Sequence, residues 1–332
     1  MSEHLLEIND LKVSFFTPAG EVKAVNGVTY DLDEGRVLGI VGESGSGKSV
    51  SVSALMQLLA YPGRVVGGSI TFNGRDILAM SEQEIQAVRG KEIGMIFQDP
   101  MTSLNPVFTI GEQLVETLRR HTSMTRAQAW ARSVEMLKLV GINNPEQRMK
   151  QYPHEFSGGM RQRAMIAMTL LCDPKLLIAD EPTTALDVTI QAQILELMKE
   201  LRTKINAAII LITHDLGIVS DICDEVIVMY AGRIVERGSI DDIFYRPSHP
   251  YTQGLLRCLP RLDSDGSKPL EPIEGTPVDL LALPKGCAFA PRCEKCMRVC
   301  LNQQPPTFQI GEGHTSVCWL HAIDSAEEVQ KN

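Results

Sequence analysis

At the start of the chain, the pattern of apolar and polar positions predicts short β-strands. Residues 5–40 alternate short apolar runs with Gly and Asp, a pattern typical of antiparallel strands. Residues 68–80 predict a hairpin whose turn is Asn73-Gly74, a pair suited to the positive φ angles of a tight turn. Further strands are predicted from compact apolar runs at residues 37–41, 93–97, 176–179, 208–213 and 226–230.

Helical periodicity appears between these runs. Residues 50–60 predict a helix, and from about residue 99 to 153 the pattern becomes helical. One predicted face carries Ile110, Leu114 and Leu118, and a later helix carries Ala131, Val134, Leu137, Leu139 and Val140. A patterned helix also follows Asp187, with one side formed by Ile190, Ile194, Leu197, Met198 and Leu201.

Length and composition limit the classes of protein to consider. The 332 residues are enough for one large domain or two ordinary ones, and 44% hydrophobic with 22% charged residues indicates a folded protein. A net charge of −9 argues against nucleic acid as a partner. No apolar run reaches the length of a membrane span and no signal peptide opens the chain, so we expect membrane association only through a partner. Eight cysteines without a secretory signal favour thiols or metal ligands over disulfides.

The strongest chemical signal is the sequence Gly-Glu-Ser-Gly-Ser-Gly-Lys-Ser at residues 42–49, here called the phosphate loop. It lies between the predicted strand 37–41 and the predicted helix 50–60, which is the setting a P-loop requires. Small residues allow backbone N–H groups to surround phosphate oxygens, while Lys48 contacts the phosphates and Ser49 binds Mg²⁺. The sequence predicts nucleotide contacts from Gly42, Glu43, Ser44, Gly45, Ser46, Gly47, Lys48, Ser49 and Val50.

Two adjacent acids, Asp180 and Glu181, follow the apolar run 176–179. At the carboxyl end of a parallel strand, Asp180 would hold Mg²⁺ through water and Glu181 would polarise an attacking water. Adjacent acids alone fit a solvated turn equally well; together with the phosphate loop they indicate phosphoryl transfer.

Four weaker elements follow in a fixed order. They are Gln98 after its strand, residues 156–163 leading into a helix, residues 185–187 ending in Asp187, and His214 after its strand. Together with the phosphate loop these motifs resemble the nucleotide-binding subunit of ATP-binding cassette (ABC) transporters, over about residues 5–238. The resemblance implies an α/β fold, a P-loop NTPase ABC domain with a RecA-like core, an antiparallel β subdomain and a helical subdomain at about residues 99–165.

The resemblance also implies a role for each motif. Ser157, Gly158 and Gly159 would form the signature segment, which contacts the γ-phosphate of ATP held by a second subunit. The other implied roles are Mg²⁺ and water sensing by Gln98, general base for Glu181, γ-phosphate switch for His214 and a position on the dimer seam for Asp187. Phe156 and Met160 stand where the family commonly has Leu and Gln.

Two further family positions are expected at the edges of the nucleotide site. Phe15 is favoured over Phe16 for stacking on adenine, with core packing of either ring equally open. The loop 99–106 after Gln98 is expected to face a membrane subunit, because Met101, Leu104 and Val107 would be apolar side chains on a polar loop.

Beyond residue 238 the composition shifts toward Pro and Gly, which predicts an ABC domain over 1–240 and a C-terminal extension over 241–332. Residues 245–256 look like the stretch that marks the ATPases of peptide and nickel importers. Cys287, Cys293, Cys300 and Cys318 are spaced C-x₅-C-x₆-C-x₁₇-C, which suits Zn²⁺, a [4Fe–4S] cluster or unliganded thiols. This arrangement resembles the tail of dipeptide-importer ATPases, some of which carry an iron–sulfur cluster, and the matching four cysteines are the ones just named. Cys296 is an extra cysteine that could substitute as a ligand or remain a free thiol.

Taken together, the resemblance implies the ATP-hydrolysing, Mg²⁺-dependent subunit of an ABC importer for di- and oligopeptides, peripheral on the cytoplasmic face of the bacterial inner membrane. Its implied partners are two multi-span permease subunits, a related second ATPase or a second copy, and an extracytoplasmic peptide-binding protein.

Glutathione, haem or nickel chelates are alternative cargoes. A soluble ABC ATPase acting on nucleic acid or ribosomes is the alternative from another class, although such proteins usually have two cassettes or a long insertion. A metal-sensing regulatory ATPase, with the cysteines as its input, is a third possibility.

Overall fold

The computed structural model describes residues 4–97, 103–182, 188–204, 207–258 and 272–322. The strands are β1 Leu6–Thr17, β2 Gly20–Leu32, β3 Val37–Val41, β4 Gly63–Phe72, β5 Arg75–Asp76, β6 Ile93–Ile96, β7 Leu176–Asp180, β8 Ala208–Ile212, β9 Glu225–Tyr230, β10 Arg233–Ser239, β11 Phe308–Gly311 and β12 His314–Ser316. The α-helices are α1 Lys48–Leu55, α2 Glu82–Val88, α3 Ile110–His121, α4 Arg126–Leu139, α5 Pro145–Arg148, α6 Gly158–Leu170, α7 Val188–Lys204, α8 Leu216–Ile222, α9 Ile240–Tyr245, α10 Pro250–Arg257 and α11 Arg298–Asn302. These elements confirm the predicted α/β class.

The chain forms two compact units whose segments alternate along the sequence. The first unit comprises Met1–Leu5, Leu32–Val37 and Ala79–Ile212, and the second comprises Leu6–Asp31, Leu38–Leu78 and Thr213–Asn332. The predicted domain boundary near residue 240 stays a prediction.

In the first unit, β7 pairs in parallel with β6 on one side and β8 on the other, with Leu176 opposite Ile93 and Ala208. All five residues of β7 are buried, which is why its first four residues, 176–179, are all apolar. The run predicted to end at Ala179 extends one residue further and includes Asp180.

The helices of the first unit confirm one predicted face and correct another. On α3, Ile110, Leu114 and Leu118 are fully buried, as predicted. Of the face predicted for the next helix, Leu137 on α4 and Val140 directly after it are buried as predicted, whereas Ala131 is exposed and Val134 and Leu139 are only half-buried. The buried residues of α4 itself are Ala129, Ser133, Met136 and Leu137, because α4 packs against both α3 and α6. Ser133 can be buried among these residues because its hydroxyl donates a hydrogen bond to the Ala129 carbonyl oxygen at 2.7 Å.

The second unit contains the predicted antiparallel sheet, with strand order β2-β1-β4-β5. The turn between β4 and β5 is the predicted one, since Asn73 and Gly74 have φ angles of 50° and 73°. The helix predicted over 50–60 begins two residues earlier, at the phosphate loop, and ends at Leu55. It stops there because Gln57 adopts a left-handed φ of 49°, a conformation that terminates helices.

A second sheet region of this unit carries the phosphate loop. Strand β3 pairs in parallel with β9, and β10 returns antiparallel to β9 after a turn at Ala231 and Gly232. Strand β12 then pairs with β10, and β11 pairs with β12. The last two strands come from the C-terminal extension and were not predicted. Consequently part of the extension belongs to the same compact unit as the phosphate loop.

Within the described ranges, no helix is long and apolar enough to cross a membrane.

Candidate nucleotide-binding and hydrolysis site

The phosphate loop joins β3 to α1, and two glycines make its path possible. Gly47 is the N-cap of α1 with a φ of 100°, and a β-carbon there would stand 2.4 Å from the Ala24 carbonyl oxygen. A β-carbon on Gly42 would stand 2.2 Å from the carbonyl oxygen of Met229 on β9. Glycine is therefore the residue that both positions require.

Lys48 places a positive charge inside this loop. Its Nζ donates to the carbonyl oxygens of Gly42 at 2.7 Å and Glu43 at 3.0 Å, and the residue is only 5% exposed. The loop is closed by the Ser46 N–H donating to the Glu43 carbonyl oxygen, and by the Gly232 N–H donating to the Ser46 carbonyl oxygen. A buried ammonium surrounded by a helix N-terminus and loop backbone suits a phosphate chain. Ser49 is exposed and Val50 half-buried at the start of α1.

Glu43 of the phosphate loop is held by two residues of the C-terminal extension. Its backbone N–H donates to the Tyr251 hydroxyl at 2.8 Å, and its carboxylate accepts two hydrogen bonds from Arg292 at 2.6 and 3.0 Å. Sequence reasoning missed both partners. Tyr251 lies in the stretch that was used only as a family marker, and no spacing rule connects Arg292 to a loop 249 residues earlier.

His214 is positioned next to the strand that leads into the phosphate loop. The backbone N–H of its neighbour Thr213 donates to the Ile40 carbonyl oxygen of β3 at 3.3 Å. Asp215 on the other side caps α8 by accepting from the N–H groups of Gly217 and Ile218. His214 itself is exposed.

In the first unit, Asp180 and Glu181 lie at the carboxyl end of a parallel strand, where the sequence predicts them. Asp180 is the last residue of β7 and is 8% exposed. Glu181 adopts a left-handed φ of 47°, and its N–H donates to the Ile212 carbonyl oxygen at 2.9 Å. A non-glycine residue in this conformation is strained, as is common at active sites.

The signature segment forms the N-terminus of α6. Ser157 is the N-cap, with its hydroxyl accepting from the Met160 N–H at 3.3 Å. Gly158 is exposed, whereas a β-carbon on Gly159 would stand 2.9 Å from the side chain of Ile190 on α7. About one turn further along the helix, the buried Gln162 donates to the Pro182 carbonyl oxygen at 2.6 Å. Gln162 was also missed, although it lies inside the motif that the sequence singled out.

The remaining predicted nucleotide residues are placed as follows. Phe15 is half-buried and lies close over Gly63, where a β-carbon would be 2.6 Å from its ring. Phe16 is 39% exposed, with the Arg64 guanidinium 4.0 Å from its ring centroid. Gln98 and Asp187 lie outside the described residues. Contact of either ring with adenine stays a prediction.

The four predicted cysteine ligands line one small pocket, here called the cysteine pocket, of about 10 Å³. Phe289 and Trp319 complete its apolar wall, and Cys296 is exposed and does not line it. Burial raises the pKa of the Cys287 and Cys318 thiols to about 11. Among the residues that the structure describes, no three His, Cys, Asp or Glu side chains are grouped so that they could hold a metal ion. Four thiols around one pocket are the donor type that Zn²⁺ and [4Fe–4S] clusters take, although the structure does not group them as ligands.

Comparison with protein families gives two matches, which cover different parts of the chain. Residues 25–184 match the family described as ABC transporter, and residues 235–300 match the C-terminal region of oligopeptide/dipeptide transporters.

Several curated proteins are similar over nearly the whole chain. The oligopeptide transport ATP-binding protein OppD of Salmonella typhimurium is 58% identical over 315 residues, which cover 95% of this chain and 93% of the relative. OppD of Bacillus subtilis is 57% identical over 317 residues, covering 95% of this chain and 88% of the relative. The dipeptide transport ATP-binding protein DppD of Bacillus subtilis is 54% identical over 332 residues, covering 98% and 99%.

Solved structures agree on the fold. A dimeric ATP-binding cassette in a post-hydrolysis state, bound to ADP and Pi, has a TM-score of 0.64 at 24% identity, covering 71% of this chain and 98% of that one. CbiO1 of Clostridium perfringens, part of an ABC transporter complex, has a TM-score of 0.63 at 27% identity, covering 74% and 92%.

Proposed function

Because this chain belongs to the ABC transporter family, and within it to the oligopeptide and dipeptide transport ATP-binding proteins, we propose that it hydrolyses ATP to drive the uptake of di- and oligopeptides across the bacterial cytoplasmic membrane. It is an ABC ATPase that binds ATP, with Mg²⁺ as the usual metal of this class. The observation that carries the proposal is the phosphate loop, in which a buried Lys48 ammonium stands at a helix N-terminus.

The proposed reaction uses the predicted residues in separate roles. Lys48 and the loop N–H groups hold the phosphates, while Ser49, Asp180 and Gln98 hold Mg²⁺ directly or through water. Glu181 takes a proton from the attacking water as general base, the water oxygen bonds to the γ-phosphorus, and the bond from the β–γ bridging oxygen to the γ-phosphorus breaks. ADP is the leaving group, and the γ-phosphoryl group becomes inorganic phosphate. Catalysis is mainly positioning and neutralisation of charge around the γ-phosphate.

A second ATPase subunit completes each site in this proposal. The exposed N-terminus of α6, with Ser157 and Gly158, suits contact with the γ-phosphate of ATP bound to the opposite subunit. Asp187 would lie on the seam and His214 would respond to the γ-phosphate. Dimeric cassettes among the similar structures support this arrangement, with a related ATPase or a second copy of this chain as the partner.

Two permease subunits and an extracytoplasmic peptide-binding protein complete the proposed complex. Support for a permease surface comes from the helical part of the first unit, where a groove of about 960 Å³ is lined by Phe108, Val115 and the polar face of α3. Phe108 is 48% exposed and the preceding Val107 is 70% exposed, whereas Leu104 is buried and Met101 lies outside the described residues. We place the chain at the cytoplasmic face of the inner membrane through this contact. Peptide cargo is favoured over glutathione, haem or nickel chelates by the names of the similar curated proteins.

We further propose that the cysteine pocket takes a [4Fe–4S] cluster, with Zn²⁺ as the alternative. Support comes from the four thiols that line a single apolar-walled pocket. A bound cation would also stabilise thiolates at Cys287 and Cys318 against the effect of burial. Anaerobic purification followed by visible absorption and metal analysis tests this. About four iron atoms and four sulfides per chain support the cluster, one zinc supports the alternative, and neither metal overturns both.

The experiment that tests the transport function is isolation of the tagged chain from its native membranes in mild detergent, followed by mass-spectrometric identification of its partners. Two multi-span subunits and a sister ATPase would support the importer. Recovery with ribosomes or DNA instead would overturn the transport proposal and favour the soluble ABC class.

A further inference from the structure

The phosphate loop, which in the proposed function binds the negatively charged triphosphate of ATP, contains an acidic residue, Glu43. Residues 42–49 include one acidic side chain, Glu43, and one basic side chain, Lys48. An uncompensated carboxylate beside a triphosphate repels it, and in a partly desolvated loop that repulsion is stronger than in water. Glu43 is partly buried, with 27% of its side chain exposed. A loop of this composition therefore needs a cation to neutralise Glu43.

Arg292 supplies that cation from the C-terminal extension. Its Nη1 and Nη2 donate to separate oxygens of the Glu43 carboxylate, at 2.6 and 3.0 Å, and 4% of its side chain is exposed. Such bidentate, charge-assisted pairs are the strongest ion pairs that proteins form. The hydrogen bond to Glu43 raises the pKa of Arg292 further, so the guanidinium stays charged at every relevant pH.

Arg292 is itself held firmly in place. Its Nε donates to the Glu274 carbonyl oxygen at 3.0 Å, and its Nη2 also donates to the Ile273 carbonyl oxygen at 3.2 Å. These bonds fix the plane of the guanidinium before it meets Glu43. A lysine at this position could not reproduce the arrangement, because an ammonium is a point charge without the planar fork.

A second contact from the extension reaches the same loop residue independently. The Tyr251 hydroxyl accepts the Glu43 N–H, and the Tyr251 ring is fully buried 4.7 Å from Tyr230 and 5.3 Å from Phe289. The extension thus fixes both the backbone and the side chain of Glu43.

We propose that Arg292 is a positioning residue of the nucleotide site. It acts through Glu43: by neutralising that carboxylate, Arg292 lets the positive charge of Lys48 act on the triphosphate without an opposing negative charge in the loop. The proposal rests on the ATPase function above, and it assigns to the C-terminal extension a direct part in nucleotide affinity.

The test is a double-mutant cycle on the full chain, using equilibrium binding of a fluorescent ATP analogue and steady-state hydrolysis. The variants are Arg292→Ala, Arg292→Lys, Glu43→Gln and Glu43→Gln/Arg292→Ala. The matched control is Arg257→Ala, which removes an exposed pair with Glu294 in the same extension. Thermal melting is measured for each variant.

We expect Arg292→Ala to weaken ATP binding about tenfold, and to raise the KM for ATP more than it lowers kcat. Arg292→Lys should recover part of the loss. The double variant should bind within about threefold of the wild type, because it has no uncompensated charge. Arg257→Ala should behave as the wild type.

Two outcomes would overturn the proposal. One is unchanged ATP affinity in Arg292→Ala. The other is a double variant that binds as weakly as Arg292→Ala, since removing the Glu43 charge would then restore nothing and Arg292 would act only in folding. If Arg292→Ala does not fold, comparison of Arg292→Lys with the double variant makes the same distinction. Failure of the wild type to bind ATP would instead contradict the ATPase function itself.

Discussion

The side-chain amide of Gln162 donates a 2.6 Å hydrogen bond to the carbonyl oxygen of Pro182, the residue that follows Glu181. Gln162 lies on α6, directly after the signature segment, and is 1% exposed. Glu181 occupies a strained left-handed conformation at the end of β7. This hydrogen bond therefore links the helix that carries the signature to the segment that carries the proposed general base.

Replacing Gln162 with alanine tests this link. We expect kcat for ATP hydrolysis to fall roughly 10- to 100-fold, because a small displacement of a catalytic group is costly. ATP binding, measured separately by fluorescence titration, should stay near the wild-type value. Gln193→Ala is the matched control, since Gln193 is exposed on α7 and its side-chain oxygen accepts a long, 3.3 Å hydrogen bond from Arg163. Equal losses in both variants would show that the Pro182 bond has no special role.

Substitution of Glu181 by glutamine addresses the base itself. The amide keeps the size of the side chain but cannot accept the proton from water, so hydrolysis should fall by at least about 100-fold. ATP binding should be retained, and the variant should form a stable ATP-bound dimer on size exclusion. Glu135→Gln, an exposed change on α4, serves as the control. Undiminished turnover in Glu181→Gln would rule out this residue as the base.

Alanine at Gly47 should abolish nucleotide binding through geometry alone. The added β-carbon would meet the Ala24 carbonyl oxygen at 2.4 Å, in a backbone conformation with a φ of 100°. Strain of this kind costs about 1–3 kcal/mol if the loop keeps its path, so the loop should rearrange and the melting temperature should fall. Gly67→Ala is the control, because its β-carbon would make only an ordinary 3.4 Å contact with Lys12. ATP binding by Gly47→Ala at wild-type affinity would contradict the requirement for glycine.

His249 predicts a pH dependence of stability. It is buried, its Nδ1 accepts the Tyr251 N–H at 3.0 Å, and burial lowers its pKa to about 3. The unfolded chain binds a proton at a pKa of about 6.5. Burial of neutral His249 therefore contributes fully to the free energy of unfolding above about pH 6.5. As the pH falls from 6.5 toward 3, the unfolded chain binds a proton that the folded chain does not, and the free energy of unfolding declines by up to about 1.4 kcal/mol per pH unit.

Urea unfolding of the wild type and of His249→Asn at pH 7, 6 and 5 measures this effect. Asparagine can cap α10 through its side-chain oxygen but does not titrate. The unfolding free energy of the variant should therefore decline less steeply between pH 6.5 and 5 than that of the wild type. Parallel curves would mean that His249 is already protonated in the folded chain or does not contribute.

The sequence predicted the elements whose signals are local. Strand β7 could be recognised because both its faces are buried, and the turn at Asn73 and Gly74 because few other pairs accept two positive φ angles. The phosphate loop could be located because its spacing, its flanking strand and its helix are all contained in about twenty residues.

What sequence could not predict depends on contacts between distant segments. The pairing of Arg292 with Glu43 joins positions 249 residues apart, and no periodicity indicates it. On α4 the apolar Ala131 lies outside the buried stripe while the polar Ser133 lies inside it, because two neighbouring helices decide which face is covered. The short strands β11 and β12 carry too few residues for alternation to be recognised, and they form because β10 offers an edge.

Because β12 of the C-terminal extension pairs with β10, the sequences of the cassette and of its extension cannot change independently. Glu236 on β10 is fully buried, and its carboxylate accepts from the N–H groups of Ser248 and His249. The same carboxylate lies 2.9 Å from the Nε2 of His314, the first residue of β12. Strand β10, the stretch 245–256 and strand β12 thus meet at one carboxylate. Gene fusion that joined this cassette to an unrelated tail would leave that carboxylate without its partners. Recombination between relatives should accordingly preserve the cassette and its tail as one inherited block.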